Sequence, residues 1–300
     1  MGENTNSKNL ILAAAVFFAA AMVAFPGVTE SGSKSAIVIW ANAIVPVLLP
    51  FFILADFIKR TGNLQRFPVQ VYPFLIAVLS GYPMGAKIVG DLIYDGTLTR
   101  EKGKAVLSYS LVTGPAFLMG TIGVFLGSSR AAFIILLSHY LGALANGCFF
   151  RETTPARRTQ REMPAFSSSS VLENFTLAIT AGFKAMAVIL AYLMIFMIGI
   201  DLLENAGIWQ RLGSETAVSF LKGVLEMTVG ANMISLCNET LALKTVLIAV
   251  IVSFGGLSVI GQSVSMAAGS GIRLADILKI KSMHGIFSGI IAMLLACLLL

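Results

Sequence analysis

Charged residues are scarce in this sequence of 300 residues. Only 12% are Asp, Glu, Lys or Arg, whereas a soluble domain carries about 25%. Hydrophobic residues make up 57% of the chain. This balance excludes an ordinary soluble domain and indicates an integral membrane protein.

Cysteine and histidine are also rare, with three and two residues. The cysteines, Cys148, Cys237 and Cys297, lie apart in apolar segments, so neither a disulfide framework nor a zinc site is expected. The sequence has no His-Glu-x-x-His or Gly-x-Ser-x-Gly motif, so we expect no enzyme, no metal and no cofactor. The net charge of +6 comes from links between apolar runs, which argues against nucleic-acid binding.

Seven apolar runs are long enough to cross a membrane, which takes roughly 20 helical residues. They lie near residues 10–28, 36–58, 104–127, 131–149, 175–200, 241–262 and 283–300. Two further apolar stretches, near 71–94 and 217–237, are interrupted by glycine close to their middle. The sequence therefore predicts an all-α membrane protein with about seven transmembrane helices and two re-entrant hairpins.

The first of these hairpins is predicted from the stretch "VYPFLIAVLSGYPMGAK", residues 71–87. Its first ten residues make about 15 Å of helix, half of a bilayer core of about 30 Å, before Ser-Gly-Tyr-Pro gives a turn. Irregular backbone is tolerated at that depth only where it is buried in protein or lines a wet cavity. The break therefore predicts a cavity near the middle of the membrane.

The distribution of Lys and Arg predicts the orientation. With a cytoplasmic N-terminus, 14 basic residues fall inside, namely Lys8, Lys59, Arg60, Arg66, Arg100, Lys102, Lys104, Arg151, Arg157, Arg158, Arg161, Arg273, Lys279 and Lys281. Five fall outside, namely Lys34, Arg130, Arg211, Lys222 and Lys244. The positive-inside rule then predicts a multi-pass protein of the cell membrane, with the N-terminus and central loop cytoplasmic and the C-terminus outside.

Four regions are predicted. Residues 1–35 form an N-terminal anchor helix, 36–150 a first repeat, 151–172 a basic cytoplasmic linker and 173–300 a second repeat. The first run could instead be a cleaved signal peptide, because Lys8 precedes an apolar core that ends in an alanine-rich pattern.

The two repeats can be aligned. "MGAKIVGDL" (84–92) matches "VGANMISLC" (229–237), and "TGPA" (113–116) falls on "GGLS" (255–258). Three crossings per unit place the second copy upside down relative to the first. Inverted repeats with discontinuous helices are a common plan of secondary transporters, although a match this short could also arise by chance.

Two proline-started helices are predicted to aim their N-termini at the same region. Pro83 follows Ser80, Gly81 and Tyr82, and Pro115 follows Gly114, with Thr113 as the expected N-cap. Free N–H groups and the helix dipole make such ends anion sites. The alternative is that Gly and Pro here only allow close helix packing.

Lys87 strengthens the anion interpretation. It lies four residues past Pro83, and a lysine at the bilayer centre costs about 2.5–3.5 kcal/mol. Snorkelling would have to reach an exit about 12 Å away, near Asp95. We therefore expect Lys87 to contact a small carboxylate or phosphate.

Glu226 lies at comparable depth in the second hairpin. It is a candidate for binding a coupling proton or sodium ion, or for pairing with Lys87. Thr228, Asn232, Ser258 and Gln262 supply neutral hydrogen-bonding groups around the same breaks, or hold helices together.

The motifs resemble the YlbJ type (SpoVV type) of sporulation integral membrane proteins. The resemblance rests on "PFFILADFI" (50–58), "LSGYPMGAK" (79–87), "TGPAFLMGTIGV" (113–124), "VLEMTVGAN" (224–232), "FGGLSVIGQ" (254–262) and "KSMHGIF" (281–287). It implies paired Gate or nucleoside-recognition domains similar to concentrative nucleoside transporters. One branch of the family is implicated in moving dipicolinate.

Matched residue by residue, the resemblance implies a substrate site made of Ser80, Gly81, Tyr82, Pro83, Gly85, Lys87, Thr113, Gly114, Pro115, Gly255, Gly256, Ser258 and Gln262. Leu111 and Val112 stand where the family typically has two asparagines, and Ile260 stands where it usually has histidine. The resemblance therefore implies the fold, and these three positions do not carry over the family's polar side chains.

The expected function is transport of a small solute by alternating access, in particular an anion such as dipicolinate. The alternatives are a carrier of nucleoside-like solutes and a non-transporting membrane component of spore maturation. The expected partners are the solute, the lipid bilayer and a coupling proton or sodium ion, and a homo-oligomer is left open.

Overall fold

The computed structural model describes residues 5–61, 68–152 and 170–300. Its helices are α1 (Thr5–Ala24), α2 (Pro26–Ile39), α3 (Val45–Thr61), α4 (Tyr72–Ser80), α5 (Tyr82–Tyr94), α6 (Arg100–Ser110), α7 (Gly123–Leu126), α8 (Ser129–Phe149), α9 (Val171–Asn205), α10 (Glu215–Leu225), α11 (Met227–Leu236), α12 (Leu241–Phe254), α13 (Gly256–Met266) and α14 (Leu274–Leu299). No strand occurs within the described ranges. The all-α class is confirmed.

Five helical segments of the described chain are long and apolar enough to cross a membrane. They are Pro26–Ile58, Ser129–Phe149, Val171–Asn205, Leu241–Met266 and Leu274–Leu299. The protein is thus a multi-pass membrane protein. The total of seven crossings stays a prediction, because the run near 10–28 gives the shorter apolar segment Asn9–Ala24 and the run near 104–127 is interrupted after α6.

Two pairs of short helices form tight hairpins. Helices α4 and α5 meet at Gly81, and α10 and α11 meet at Glu226. A Cβ atom on Gly230 would lie 2.0 Å from the Cα of Gly223, so the arms of the second hairpin touch through their backbones. Both hairpins fall where the sequence predicts them, while their re-entry into a membrane stays a prediction.

Two further helices are broken in the middle. After α6 the chain is non-helical over residues 111–114 and resumes at Pro115, passing through the π-helical turn Phe117–Ile122 into α7. Helix α12 ends at Gly255, and Gly255 and Gly256 both have positive φ angles, +88° and +70°. Only glycine adopts this backbone readily, so the glycine pair creates the second break.

The same order of elements occurs in both halves of the chain. A long helix, a hairpin, a broken helix and a final helix occur as α2–α3, α4–α5, α6–α7 and α8, and again as α9, α10–α11, α12–α13 and α14. The inverted orientation and the four region boundaries remain predictions. Most of the predicted linker, residues 153–169, lies outside the described residues.

The unbroken helices α8 and α14 form the scaffold behind the breaks. Helix α14 packs along both α8 and α12. A Cβ atom on Gly142 would lie 2.2 Å from Ser288 Oγ, so α8 and α14 approach closely at a small residue, as membrane helices commonly do. The breaks are therefore held against a rigid support.

Candidate functional site

Both hairpin tips and both helix breaks meet at one cavity. Its polar lining consists of Ser80, Gly81, Tyr82, Thr113, Glu226, Thr228, Ser258 and Gln262. All eight residues are among those proposed from the sequence, although they come from segments as much as 182 residues apart.

The apolar wall comes from both halves of the chain and includes the long helices α3 and α9. The apolar lining residues are Ile44, Leu48, Phe52, Phe117, Ile189, Leu193, Met227 and Val259. Ile44 and Phe117 belong to the two π-helical turns, Trp40–Ile44 and Phe117–Ile122. Such turns are often found at functional sites because they displace a helix locally.

The first tip depends on a glycine. Gly81 has φ +86° and ψ −173°, a region that is essentially closed to other residues. It is followed directly by Tyr82, whose hydroxyl donates to the carbonyl oxygen of Val252 at the end of α12. The tip of the first hairpin is thus bonded to the second broken helix.

The second tip carries a carboxylate. Glu226 is only 3% exposed and is the N-cap of α11, where its Oε2 accepts a hydrogen bond from Val229 N at 2.8 Å. The helix dipole stabilises a negative charge at this position. Glu226 therefore places a buried acidic group in the cavity wall.

Ser258, near the start of α13, has an unused hydrogen-bonding group. Its Oγ is buried and has no hydrogen-bond partner among the described residues. By contrast, Ser263 Oγ on the same helix donates to Val259 O at 2.8 Å. Because buried hydroxyls are normally paired, Ser258 is a candidate for binding water or a solute.

The cavity is small in this conformation. It leaves about 40 Å³ for the centres of water-sized molecules, and one water needs about 10–15 Å³ measured in this way. A few waters fit, but an aromatic dicarboxylate or a nucleoside does not. Admission of such a solute requires the surrounding segments to move apart.

The remaining predicted site residues do not line the cavity; they are Gly85, Lys87, Gly114, Pro115, Asn232, Gly255 and Gly256. Gly114, Pro115, Gly255 and Gly256 form the breaks themselves. Gly85 lies where a Cβ atom would come within 2.2 Å of Ser110 O, so its role is close packing. The side chain of Pro83, the second residue of α5, lies outside the described part of the chain.

Lys87 is far more exposed than the sequence suggests. Its side chain is 43% exposed and its Nζ lies 3.4 Å from Asp91 Oδ2, one turn along α5. The cavity wall does not include it, and neither does it pair with Glu226. A lysine and an aspartate at this spacing form a common surface pair on a helix.

The N-cap after the first break is Gly114 rather than Thr113. Leu118 N donates to Gly114 O in the first intrahelical bond, which leaves Pro115 as the first helical residue. Thr113 has other contacts: its N–H donates to His139 Nε2 at 3.0 Å, and its carbonyl accepts from the Tyr140 hydroxyl at 2.9 Å. Helix α8 thus fixes the break through its side chains.

A buried polar cluster around Lys281 lies behind the cavity. The site predicted from the sequence does not include it. Lys281, predicted to lie in a cytoplasmic loop, is instead inside α14 and 1% exposed. Its Nζ donates to Leu111 O at 3.0 Å, lies 3.3 Å from His284 Nδ1 and sits 4.1 Å from the centre of the Tyr82 ring. His139 is completely buried beside this group.

One signal in the sequence points to this cluster. Lys281, His284 and Ser288 recur at spacings of three and four residues, which places them on one face of a helix. All three are buried against α8 and neighbouring helices. A polar stripe of this kind in an apolar helix is typical of a functional interior.

A curated relative is similar over almost the whole chain. The sporulation integral membrane protein YlbJ of Bacillus subtilis (strain 168) is 22% identical over an alignment of 342 positions, covering 97% of this chain and 84% of the relative. No protein-family profile matches the chain, and no solved structure is significantly similar to it.

Proposed function

We propose that this chain, which is similar over 97% of its length to a sporulation integral membrane protein of the YlbJ type, is a membrane transporter of a small anionic solute, such as dipicolinate, linked to sporulation. The solute would bind in the cavity between the hairpin tips. Transport would proceed by alternating access, with the cavity opening to one side of the membrane at a time.

The convergence of four backbone interruptions on one cavity carries the proposal. Non-helical backbone inside a membrane protein is tolerated where it is buried in protein or lines a cavity. Here the interruptions bring Gly81, Glu226 and Ser258 to the same cavity. The same cavity thus receives an unpaired hydroxyl, Ser258, and a carboxyl group, Glu226, which are suited to bind a solute and an ion.

The small volume of the cavity favours a gated mechanism. Because only a few waters fit, entry of a solute requires a hairpin tip to withdraw from the opposite helix break. The hydrogen bond from Tyr82 to Val252 O is one contact that would open. The tight packing at Gly230 and Gly223 would let the second hairpin move as a unit.

Glu226 is the proposed site of ion coupling. A carboxylate in the wall of a transport cavity binds a proton or a sodium ion when the solute is bound and releases it on the other side. A proton needs no ligand besides the carboxylate. A sodium ion would also be coordinated by the neutral oxygens of Thr228, Ser258 and Gln262, which lie on the same wall.

Ser258 offers a direct test of binding. At 100 times its dissociation constant, dipicolinate should stabilise the purified protein by about 2.7 kcal/mol. Ser258→Ala should weaken binding by about 0.5–1.5 kcal/mol, up to roughly tenfold in Kd, because one hydrogen bond to the solute is lost. Thermal-shift titration in detergent measures both quantities.

Ser263→Ala is the matched control, since that hydroxyl is bonded within its own helix. It should leave the affinity unchanged. Stabilisation by a nucleoside alone would favour the nucleoside-carrier alternative. A lack of stabilisation by either solute class would favour the non-transporting component of spore maturation and contradict the proposal.

A further inference from the structure

Lys281 is a deeply buried lysine with no carboxylate beside it in the described ranges. It lies seven residues into α14, is 1% exposed, and forms no ion pair with any Asp or Glu in the described ranges. The other deeply buried lysine, Lys222, is 7% exposed and pairs with Glu204 at 2.6 Å. Buried charges are normally paired, so the isolation of Lys281 requires an explanation.

The partners of the two histidines fix where their protons lie. His284 Nε2 faces the carbonyl oxygen of His139 at 2.9 Å and must donate, so Nδ1 of a neutral His284 accepts from Lys281 Nζ at 3.3 Å. His139 Nε2 accepts from Thr113 N, so its Nδ1 donates to Ser253 Oγ at 2.8 Å. His139 is therefore neutral, and the positive charge of the cluster belongs to the Lys281–His284 pair.

The surroundings of Lys281 Nζ suit an ammonium group. It faces three acceptors: the carbonyl oxygen of Leu111, the Nδ1 of His284 and the face of the Tyr82 ring. An ammonium has three N–H donors to match them, and an aromatic face attracts a cation. A neutral amine would turn a lone pair towards one of these acceptors.

The ammonium lies directly behind the cavity wall. Tyr82, whose ring covers Nζ, lines the cavity, and Leu111 is two residues from Thr113, which also lines it. Lys281, Tyr82 and Leu111 are each at most 2% exposed, so a positive charge on Nζ is poorly screened and acts on the cavity.

We infer that Lys281 is the fixed positive charge that selects an anionic solute, with a carboxylate held at the Gly81–Tyr82 side of the cavity. This inference rests on the proposed function. The N–H groups at the start of α5 supply hydrogen bonds on that side. Glu226 takes a cation on the second hairpin, so solute and ion enter together with less net charge than the solute alone.

Uptake into proteoliposomes tests the inference with two probes of similar shape. Pyridine-2,6-dicarboxylate is an anion, and pyridine-2,6-dicarboxamide is uncharged. The wild-type protein should prefer the dicarboxylate at least about tenfold, because the attraction between poorly screened opposite unit charges several ångströms apart exceeds about 1.4 kcal/mol. Lys281→Gln retains N–H donors for Leu111 O but removes the charge, and should lose this preference. Lys281→Arg should keep it.

Two further lysine variants make the result specific. Lys222→Gln removes a buried positive charge away from the cavity and should leave the preference intact. Lys87→Gln separates the inference from the prediction made on the sequence alone: loss of the preference in this variant, with Lys281→Gln unaffected, overturns the inference.

Size-exclusion chromatography shows which variants fold. If Lys281→Gln does not fold, the folded arginine variant decides: a preference equal to wild type supports the inference, and its loss overturns it. Uptake of both probes at equal rates by the wild type also overturns the inference while leaving transport itself intact. Uptake of neither probe, nor of any nucleoside, contradicts the proposed function.

Discussion

Glu226→Gln is expected to abolish ion-driven accumulation of the solute while leaving its passage down a gradient. The amide oxygen of glutamine can still accept the hydrogen bond from Val229 N, so the cap of α11 is kept. The side chain can no longer bind and release a proton or hold a sodium ion by charge. The variant would therefore separate coupling from folding.

The expected change in the accumulation ratio of the solute follows from the free energy of the ion gradient. An inward gradient of one pH unit supplies about 1.36 kcal/mol per proton, which supports about tenfold accumulation with one coupled proton. The accumulation ratio in proteoliposomes should fall from that level to about one in Glu226→Gln. A tenfold sodium gradient, applied separately, identifies the ion.

Glu239→Gln is the control for removing a carboxylate outside the cavity. Glu239 accepts a hydrogen bond from Thr216 Oγ1 at 2.7 Å and is not part of the cavity wall. It should accumulate solute like the wild type. If Glu226→Gln also does so under both gradients, Glu226 is not the coupling site.

Gly81→Ala is expected to stop transport by distorting the tip of the first hairpin. A Cβ atom there would be 3.7 Å from Gly114 N, so space is not the obstacle. The obstacle is the backbone, because φ +86° with ψ −173° costs a residue with a side chain about 1–3 kcal/mol. If the backbone of the tip changes conformation to avoid this cost, Tyr82 is displaced. Uptake should then fall by more than about tenfold.

Gly127→Ala provides the matched control. Gly127 also has a positive φ, +59°, and an added Cβ would meet nothing within 4 Å. The left-handed conformation costs alanine about 1–2 kcal/mol, so both variants should show similar losses in apparent melting temperature. Only Gly81→Ala should lose uptake. Equal uptake by the two variants would mean that the tip does not act in transport.

Much of the site could be predicted because short stretches of sequence, each containing glycine, mark the helix breaks. A Ser-Gly-Tyr-Pro stretch in an apolar run predicts a break whatever the rest of the fold is, and the structure has this break at Gly81, between α4 and α5. The pair Gly255–Gly256 marked the second break for the same reason. Irregular backbone within a membrane is tolerated where it is buried in protein or lines a cavity, so these breaks predict a cavity near the middle of the membrane.

Lys87 shows where counting along a helix is insufficient. Its distance from the hairpin tip suggested a buried position, but the direction of its side chain depends on what packs against α5. Helix α5 packs with α4, α6 and α13, and Lys87 is left on the exposed side with Asp91. The four-residue spacing of this pair was the local evidence against burial.

For Lys281 the error runs the other way, since it is predicted to lie in a loop and is buried inside α14. Basic residues before an apolar run usually mark a membrane boundary, so it was counted as a loop residue. Lys281 contacts Leu111 and Tyr82 directly and His139 through His284. All three of Leu111, Tyr82 and His139 are more than 140 residues away in the sequence. A single sequence does not reveal that such distant groups surround one side chain.

Uptake of dipicolinate by proteoliposomes containing the purified wild-type protein tests the central claim most directly. The account predicts saturable uptake above that of protein-free vesicles, and uptake at the protein-free level with Gly81→Ala. If the wild-type protein moves neither dipicolinate nor nucleosides above the protein-free level, the cavity between the hairpin tips is not a transport site for these solutes, and the account is contradicted.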